Sequence, residues 1–218
     1  RVLYPPVKTE KFGLQRNKDD YYVSVSRLVS YKRMDLIIEA FRAMPGRKLV
    51  VIGDGPQMRV LQAHCPQNVT LMGWQPDAVV REHLANARAF VFAAHEDFGI
   101  SPVEAQACGT PVIAYGAGGS VETVRDVRMK PEPTGLLFED QTPASLVHAV
   151  EAFEKLAVRI EPDACRRWAE TFSEARFAGQ FKALIETSWD EWQSDPQSLE
   201  ARIIGPLLNR QPTQETQP

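Results

Sequence analysis

The chain has 218 residues, is 44% hydrophobic and 24% charged, and carries a formal net charge of −3, which is ordinary for a globular protein of one or two domains. Its 25 Lys and Arg residues against 28 Asp and Glu residues leave no basic excess for binding nucleic acid. The three cysteines are far apart, and no apolar run approaches the roughly 20 residues that span a bilayer. These features predict a cytoplasmic protein without a disulfide framework or a metal cluster, at most peripheral to the inner face of a membrane.

The alternation of short apolar runs with helical periods predicts the fold class. Residues 1–20 contain Pro5-Pro6 and a polar, aperiodic stretch, which predicts a hinge or linker before a domain at 21–155. β-branched and aromatic runs predict strands at 22–26, 48–52, 69–72, 89–92, 111–114 and 136–138. Helical periods lie between or after them, at 34–44, 57–64, 77–86, 102–108 and 142–155. This order predicts an α/β fold with a Rossmann-like, doubly wound parallel sheet.

The last part of the chain carries a different pattern. Residues 156–192 have helical periodicity and an aromatic stripe that includes Trp189 and Trp192, which predicts C-terminal helices. Residues 193–218 are rich in Gln, Pro and Ser, which predicts a weakly ordered tail.

Ligands of a doubly wound sheet bind beyond the carboxyl ends of its strands, so the turns after the strands are informative. The turn after the first strand has no glycine, which argues against a dinucleotide fingerprint. It carries Arg27 and Lys32 instead, two cations that could pair with a diphosphate. A solvated basic helix start is the alternative interpretation of this turn.

The next two turns are less specific. Gly53, in Gly53-Asp54-Gly55-Pro56, allows close approach of the backbone to a ligand or simply forms a tight loop. Gly73 and Trp74 follow the third strand, where the indole ring could border a nucleobase or pack into the protein.

The turn after the fourth strand is the most informative. Ser101, Pro102 and Glu104 have the spacing of a capping box with Ser101 as the N-cap. The free N–H groups of a helix start there could bind an anion. Glu96 has no helix to cap, so Glu96 and Glu104 together are suited to accept hydrogen bonds from ligand hydroxyls near a phosphate.

As a set, these residues resemble the donor-binding, C-terminal domain of the retaining GT-B glycosyltransferases of family four, also called glycosyl transferase group 1. The resemblance runs from about Tyr4 to Phe153 and rests on these motifs: Ser26-Arg27-Leu28 with Lys32, Gly53-Asp54-Gly55-Pro56, Glu96 with Glu104, residues 105–114, Gly118-Gly119 with Glu122, and Thr134-Gly135-Leu136-Leu137. Within the family, the stretch from Glu96 to Tyr115 is most similar to bacterial GDP-mannose-dependent mannosyltransferases.

The resemblance implies roles for individual residues. Arg27 and Lys32 would neutralise the nucleotide diphosphate, and Glu96 would hydrogen-bond the donor hexose, so these three are the expected catalytic residues. Fixed cations can stabilise the departing diphosphate, and the resemblance therefore implies no metal and no other cofactor. The other expected donor-binding residues are Gly53, Gly73, Trp74, Phe98, Gly99, Ile100, Ser101 and Glu104, the last of which would hold the ribose hydroxyls.

The resemblance also implies a function and a partner. The expected reaction transfers a hexose, with mannose from GDP-mannose preferred, to a glycan or lipid-linked acceptor in surface polysaccharide synthesis. Family members have two Rossmann-like domains, so this chain would be one half of a GT-B fold, inactive without an N-terminal acceptor-binding domain. Alternatives are a UDP-sugar-dependent member, a non-transferring epimerase of the same fold, and a receiver-like module, although the acidic cluster of a receiver is missing.

Overall fold

A computed structural model describes residues 2–195 of the chain. All six strands are parallel and form one sheet in the order β3-β2-β1-β4-β5-β6. The strands are β1 (Tyr22–Val25), β2 (Leu49–Ile52), β3 (Val69–Leu71), β4 (Ala89–Phe92), β5 (Val112–Tyr115) and β6 (Gly135–Phe138). The predicted α/β class with a parallel, doubly wound sheet is confirmed.

Helices follow the strands as the periodicity predicted, except that the short α5 was not predicted. They are α1 (Met34–Arg42), α2 (Met58–Ala63), α3 (Asp77–Asn86), α4 (Ile100–Ala107), α5 (Ser120–Thr123), α6 (Pro143–Leu156), α7 (Pro162–Glu170) and α8 (Glu174–Ser194). Short 3-10 turns occupy Thr9–Lys11, Ser30–Lys32 and Ala157–Arg159. Between residues 2 and 195, no helix combines the length and apolar content needed to cross a bilayer.

The sheet is buried on both faces because each face packs against helices. On one face, Tyr22 of β1 meets the rings of Phe41 in α1 and Phe153 in α6. On the other face, Leu84 of α3 and Val103 of α4 belong to the second core. Burial on both faces explains why β2, β4 and β5 are apolar throughout or nearly so, whereas β1 includes the buried Ser24 and the edge strand β3 includes the exposed Thr70.

The chain divides into two compact units. One is Tyr4–Arg176, which contains the whole sheet; among the described residues, the other contains residues 2–3 and 177–195. In the second unit, Trp189 and Trp192 lie 5.1 Å apart between ring centroids, and both rings are exposed. The predicted domain boundaries stay predictions, and from residue 196 onward the predicted tail lies outside the described residues.

Candidate functional site

All the predicted site residues except Glu104 lie along one edge of the sheet. Gly73 follows β3, Gly53 follows β2, the Arg27 turn follows β1, and Glu96 follows β4. These strands are consecutive neighbours in the sheet, so three spacings of about 4.8 Å separate the outermost two. The backbone N–H of Gly53 donates to the carbonyl of Gly73 at 2.8 Å and joins two of the loops. This edge therefore offers an extended row of loops to a ligand.

A cavity of about 520 Å³ opens at the β1 and β4 end of this row. It contains six of the predicted site residues, Lys32, Glu96, Phe98, Gly99, Ile100 and Ser101. The remaining lining residues, none of them assigned a site role from the sequence, are Pro5, Tyr31, Phe92, His95 and Asp97.

Lys32 and Glu96 form an ion pair inside this cavity. Their side chains are only 17% and 19% exposed. The Lys32 ammonium lies 5.2 Å from the centroid of the Tyr31 ring and 5.9 Å from that of Phe92. Aromatic faces stabilise a cation and exclude water, so this pair is stronger than an ion pair on the open surface.

Arg27 lies in the turn that leads to Lys32, but it does not line the cavity. Its side chain is exposed and makes no ion pair or side-chain hydrogen bond with any described residue. The turn is fixed through its neighbour Leu28, whose N–H donates to the carbonyl of Asp54 at 2.9 Å. The guanidinium is therefore free to meet an anion at the strand edge.

The close turn after β2 requires glycine at position 53. Gly53 has φ of +135°, and a Cβ atom there would lie 1.8 Å from the carbonyl oxygen of Ser26. No side chain fits at that distance, so Gly53 is explained by the packing of two loops, with or without a ligand.

Helix α4 begins differently from the prediction. Its N-cap is Gly99, with φ of +83°, and Ile100 is the first helical residue. Ser101 therefore lies inside the first turn and makes no capping hydrogen bond, so the predicted capping box is wrong. The cause is the left-handed conformation of Gly99, which starts the helix one residue before Ser101.

The corrected helix start still presents backbone donors to the cavity. The N–H groups of Phe98, Gly99, Ile100 and Ser101 make no hydrogen bond with any described residue. Unpaired N–H groups at a helix N-terminus attract anions. The four residues that carry them line the same cavity as Lys32.

Glu104 lies elsewhere. It lines a neighbouring cavity of about 360 Å³ with Lys11, Asp77 and Arg81, and Ile100 lines both cavities. Burial, with the nearby Asp77 charge as a second cause, raises the pKa of the Glu104 carboxyl. The two glutamates therefore do not share one cavity.

Trp74 is a surface residue, 73% exposed, at the β3 end of the row. Of the two interpretations that the sequence left open, the indole does not pack into the part of the chain that the structure describes. The ring is accessible to a planar ligand, as base-binding aromatic residues are.

The contacts that hold the Glu96 loop in place were not predicted from the sequence. The N–H of Gly119 donates to the carbonyl of Glu96 at 2.7 Å, and a Cβ atom on Gly118 would lie 2.3 Å from that same oxygen. On the other side, Tyr4 stacks on Phe98, with 5.9 Å between the centroids, and its hydroxyl donates to Glu122. The paired glycines were visible as a motif, whereas no sequence pattern pointed to Tyr4.

No metal site is visible in the part of the chain that the structure describes. Nowhere between residues 2 and 195 do three or more His, Cys, Asp or Glu side chains come together as metal ligands could.

Comparison with known proteins identifies the family of this chain. The family model described as glycosyl transferases group 1 matches residues 7–172. A glycogen synthase of Aromatoleum aromaticum is 30% identical over 190 residues, which cover 80% of this chain and 38% of that protein. A GDP-mannose-dependent monoacylated alpha-(1-6)-phosphatidylinositol monomannoside mannosyltransferase of Corynebacterium glutamicum is 31% identical over 183 residues, covering 77% of this chain and 42% of the relative. The chain thus spans about two fifths of the length of these relatives.

Solved structures show the same fold. Sucrose-phosphate synthase from Thermosynechococcus elongatus superposes with a TM-score of 0.73 at 23% identity, covering 88% of this chain and 53% of that chain. Anabaena HepE in complex with UDP and glucose superposes with a TM-score of 0.69 at 19% identity, covering 86% and 57%. The family match covers well over half of the sequence, and we conclude that the chain belongs to the glycosyl transferases group 1 family.

Proposed function

We propose that this chain is the donor-binding half of a retaining glycosyltransferase. It binds a nucleoside diphosphate sugar along the carboxyl edge of the sheet, and the whole enzyme transfers the hexose to a glycan or lipid-linked acceptor. The observation that carries the proposal is the Lys32–Glu96 pair, which places a cation and a carboxylate beside the unpaired N–H groups of α4 in one cavity.

This arrangement suits the charges of the reaction. A departing nucleoside diphosphate gains negative charge, which Lys32, the free Arg27 guanidinium and the N–H groups at Gly99 and Ile100 would stabilise. The Glu96 carboxylate would accept hydrogen bonds from hexose hydroxyls, because an ionised carboxylate only accepts. In the neighbouring cavity, Glu104 would accept hydrogen bonds from the ribose.

The row of loops also gives the donor a direction. The sugar and the diphosphate would lie at the β4 and β1 end, near Glu96 and Lys32. The base would lie toward Gly53 and Gly73, beside the exposed ring of Trp74. Stacking on an aromatic ring tolerates any base, so Trp74 would contribute affinity more than base selectivity.

GDP-mannose is the preferred donor in this proposal. Relatives from Corynebacterium glutamicum and Mycolicibacterium smegmatis are GDP-mannose-dependent mannosyltransferases at 31% and 32% identity. A UDP-hexose is the alternative, since structures of Anabaena HepE contain UDP or UDP-glucose. Because the chain spans about two fifths of its relatives, we also propose an N-terminal acceptor-binding domain as partner and a role in surface polysaccharide synthesis in the cytoplasm.

Calorimetric titration of the chain with GDP, UDP, ADP and GDP-mannose, with and without magnesium, tests the proposal. We expect GDP and GDP-mannose to bind without magnesium. Arg27→Ala and Lys32→Ala should each weaken GDP binding about 10- to 100-fold, the usual value of a hydrogen-bonded charge contact.

Arg159→Ala and Lys155→Ala serve as matched controls. Both are exposed cations, Lys155 in the last turn of α6 and Arg159 in the 3-10 turn that follows it, on the opposite edge of the sheet, so neither should change nucleotide affinity. Preference for UDP would overturn the choice of GDP-mannose and keep the donor-binding function. Absence of binding by the folded chain, or equal losses in the control variants, would contradict the donor site itself.

A further inference from the structure

Lys32 and Glu96 neutralise each other when no ligand is bound. Among the described residues, Lys32 pairs with no other acid, and Glu96 pairs with no other base. The pair lies between neighbouring strands, because β1 and β4 are hydrogen-bonded and both residues follow their carboxyl ends. The Glu96 carboxylate is thus already paired with the Lys32 ammonium group, which an incoming phosphate would need.

Because the pair is partly buried, separating Lys32 from Glu96 costs free energy. Both side chains are less than one fifth exposed, and the Phe92 ring and the Tyr31 ring flank the ammonium group. A partly buried carboxylate that loses its cation is left uncompensated, which is strongly unfavourable. The lysine could instead bridge both anions with its three donors, but phosphate and carboxylate would then repel each other across one cation.

The sugar nucleotide and the bare nucleoside diphosphate differ in whether they give Glu96 new hydrogen-bond donors when Lys32 is taken from it. In the proposed pose the ribose lies beside Glu104, so a bare nucleoside diphosphate brings only its anionic phosphates to the cavity of Glu96 and leaves that carboxylate without a donor. A sugar nucleotide brings hexose hydroxyls as well, and these can replace the ammonium as hydrogen-bond donors to the carboxylate. The cost of separating the pair is therefore offset for the substrate and not for the product.

We propose that Glu96 makes the site discriminate between the sugar nucleotide and the bare nucleoside diphosphate, by competing with the diphosphate for Lys32 whenever no sugar occupies the cavity. This inference rests on the proposed donor-binding function and assigns Glu96 a second role, that of weakening retention of the nucleoside diphosphate after transfer.

Titration of the chain and of Glu96→Gln with GDP and GDP-mannose, and likewise with UDP and UDP-glucose, tests the inference. Glutamine keeps the shape of the side chain and removes its charge. In Glu96→Gln, the nucleoside diphosphate should bind on the order of tenfold tighter, the effect of removing one close like charge. The sugar nucleotide should gain no affinity, because its hydroxyls lose a charged acceptor.

Two further variants make the result specific. Asp97→Asn removes the same charge from the adjacent, exposed residue without unpairing Lys32, so it should tighten nucleoside diphosphate binding by no more than about threefold. The gain from Glu96→Gln should disappear when Lys32→Gln is added, because no cation is then released.

The outcomes separate this inference from the proposed function. If the wild-type chain binds nucleotides and Glu96→Gln leaves nucleoside diphosphate affinity unchanged or weaker, the inference is overturned and the donor site stands. An equal gain in Asp97→Asn would also overturn it, since a general charge effect would then suffice. If no variant binds any nucleotide, both the inference and the proposed function fail.

Discussion

Glu104 lies on α4 close to Asp77, and burial together with that second carboxylate raises the pKa of its carboxyl group. The folded chain therefore keeps this proton to a higher pH than the unfolded chain. A raised pKa contributes stability below the unfolded value, and this contribution is lost as the pH rises through the folded value. At pH 7, where the carboxyl group is ionised in the unfolded chain, burial of Glu104 thus lowers the stability of the fold.

We predict that Glu104→Gln is more stable than the wild-type chain at pH 7, and that the difference shrinks as the pH falls to about 4. Urea unfolding at both pH values measures it. Glu82→Gln is the control, since Glu82 is exposed on α3 and should show no such dependence on pH. Lower stability of Glu104→Gln at pH 7 would show that the carboxylate has a structural partner in the fold.

Gly118 illustrates how one residue fixes the position of another. It has φ of +63°, and an added Cβ atom would meet the Glu96 carbonyl at 2.3 Å. We predict that Gly118→Ala lowers the free energy of unfolding by about 1–3 kcal/mol and also weakens nucleotide binding. Gly46→Ala is the matched control, because no atom lies within 4 Å of a Cβ at that position. Equal effects of the two substitutions would contradict the close contact.

Individual elements differ in how well their sequences predict them. The strands were found because each is a short apolar run between turn residues, and α1 because its buried residues follow the helical period. Helix α5 was missed because it has only four residues and follows a glycine-rich stretch. Its start is fixed by the hydrogen bond from Gly119 to Glu96, a contact between distant segments that no local pattern contains.

Some features of the candidate site could likewise be predicted from the sequence, and others could not. The sequence placed Lys32 and Glu96 in turns after strands, at the carboxyl edge of the sheet, but their pairing depends on β1 and β4 being neighbours, which the strand order of the structure shows. The helix start at Ile100 could not be predicted, because the left-handed conformation of Gly99 depends on the surrounding loop. Whether the indole of Trp74 is packed or exposed also depends on tertiary structure, and sequence alone left both possibilities open.

On the outer edge of β6, side chains form hydrogen bonds with the strand backbone. Asp126, 1% exposed, accepts a hydrogen bond from the N–H of Leu137 at 2.9 Å. Arg128 donates to the carbonyl of Leu137 at 2.7 Å and to the Asp126 carboxylate at 2.7 Å. Two side chains thus satisfy the backbone groups that an edge strand leaves open to pairing with another strand.

We predict that Asp126→Ala lowers the free energy of unfolding by about 2 kcal/mol, because it unpairs a backbone N–H and an arginine together. Burial alone would raise the pKa of Asp126, but the hydrogen bonds from Arg128 and Leu137 outweigh burial and lower it. The stabilisation is therefore present at pH 7 and is lost as the pH falls through the lowered pKa.

Urea unfolding of Asp126→Ala beside Asp140→Ala checks this assignment. The exposed Asp140 carboxylate makes no ion pair or hydrogen bond with the described residues, so its loss should change stability by less than about 0.5 kcal/mol. A loss in Asp126→Ala that persists unchanged at low pH would contradict the role of the carboxylate charge.

At the scale of the whole molecule, the proposed site depends on the complete sheet. Its residues come from the loops after β1, β2, β3 and β4, which are brought together only when the unit Tyr4–Arg176 is folded. An unfolded chain would hold Arg27, Lys32 and Glu96 at no fixed distance and would have little affinity for a nucleotide. Donor binding is therefore linked to the folding equilibrium of the unit.

This linkage gives a prediction that needs no acceptor and no turnover. At a nucleoside diphosphate concentration of 100 times its Kd, the free energy of unfolding should rise by about 2.7 kcal/mol. At that same concentration, Lys32→Ala should gain much less, because its Kd is higher, while Lys155→Ala should gain the full amount. Urea unfolding with and without ligand measures both. A calorimetric binding signal without any stabilisation would mean that the nucleotide binds the unfolded chain equally well, which the geometry of a site assembled from four strand ends does not allow.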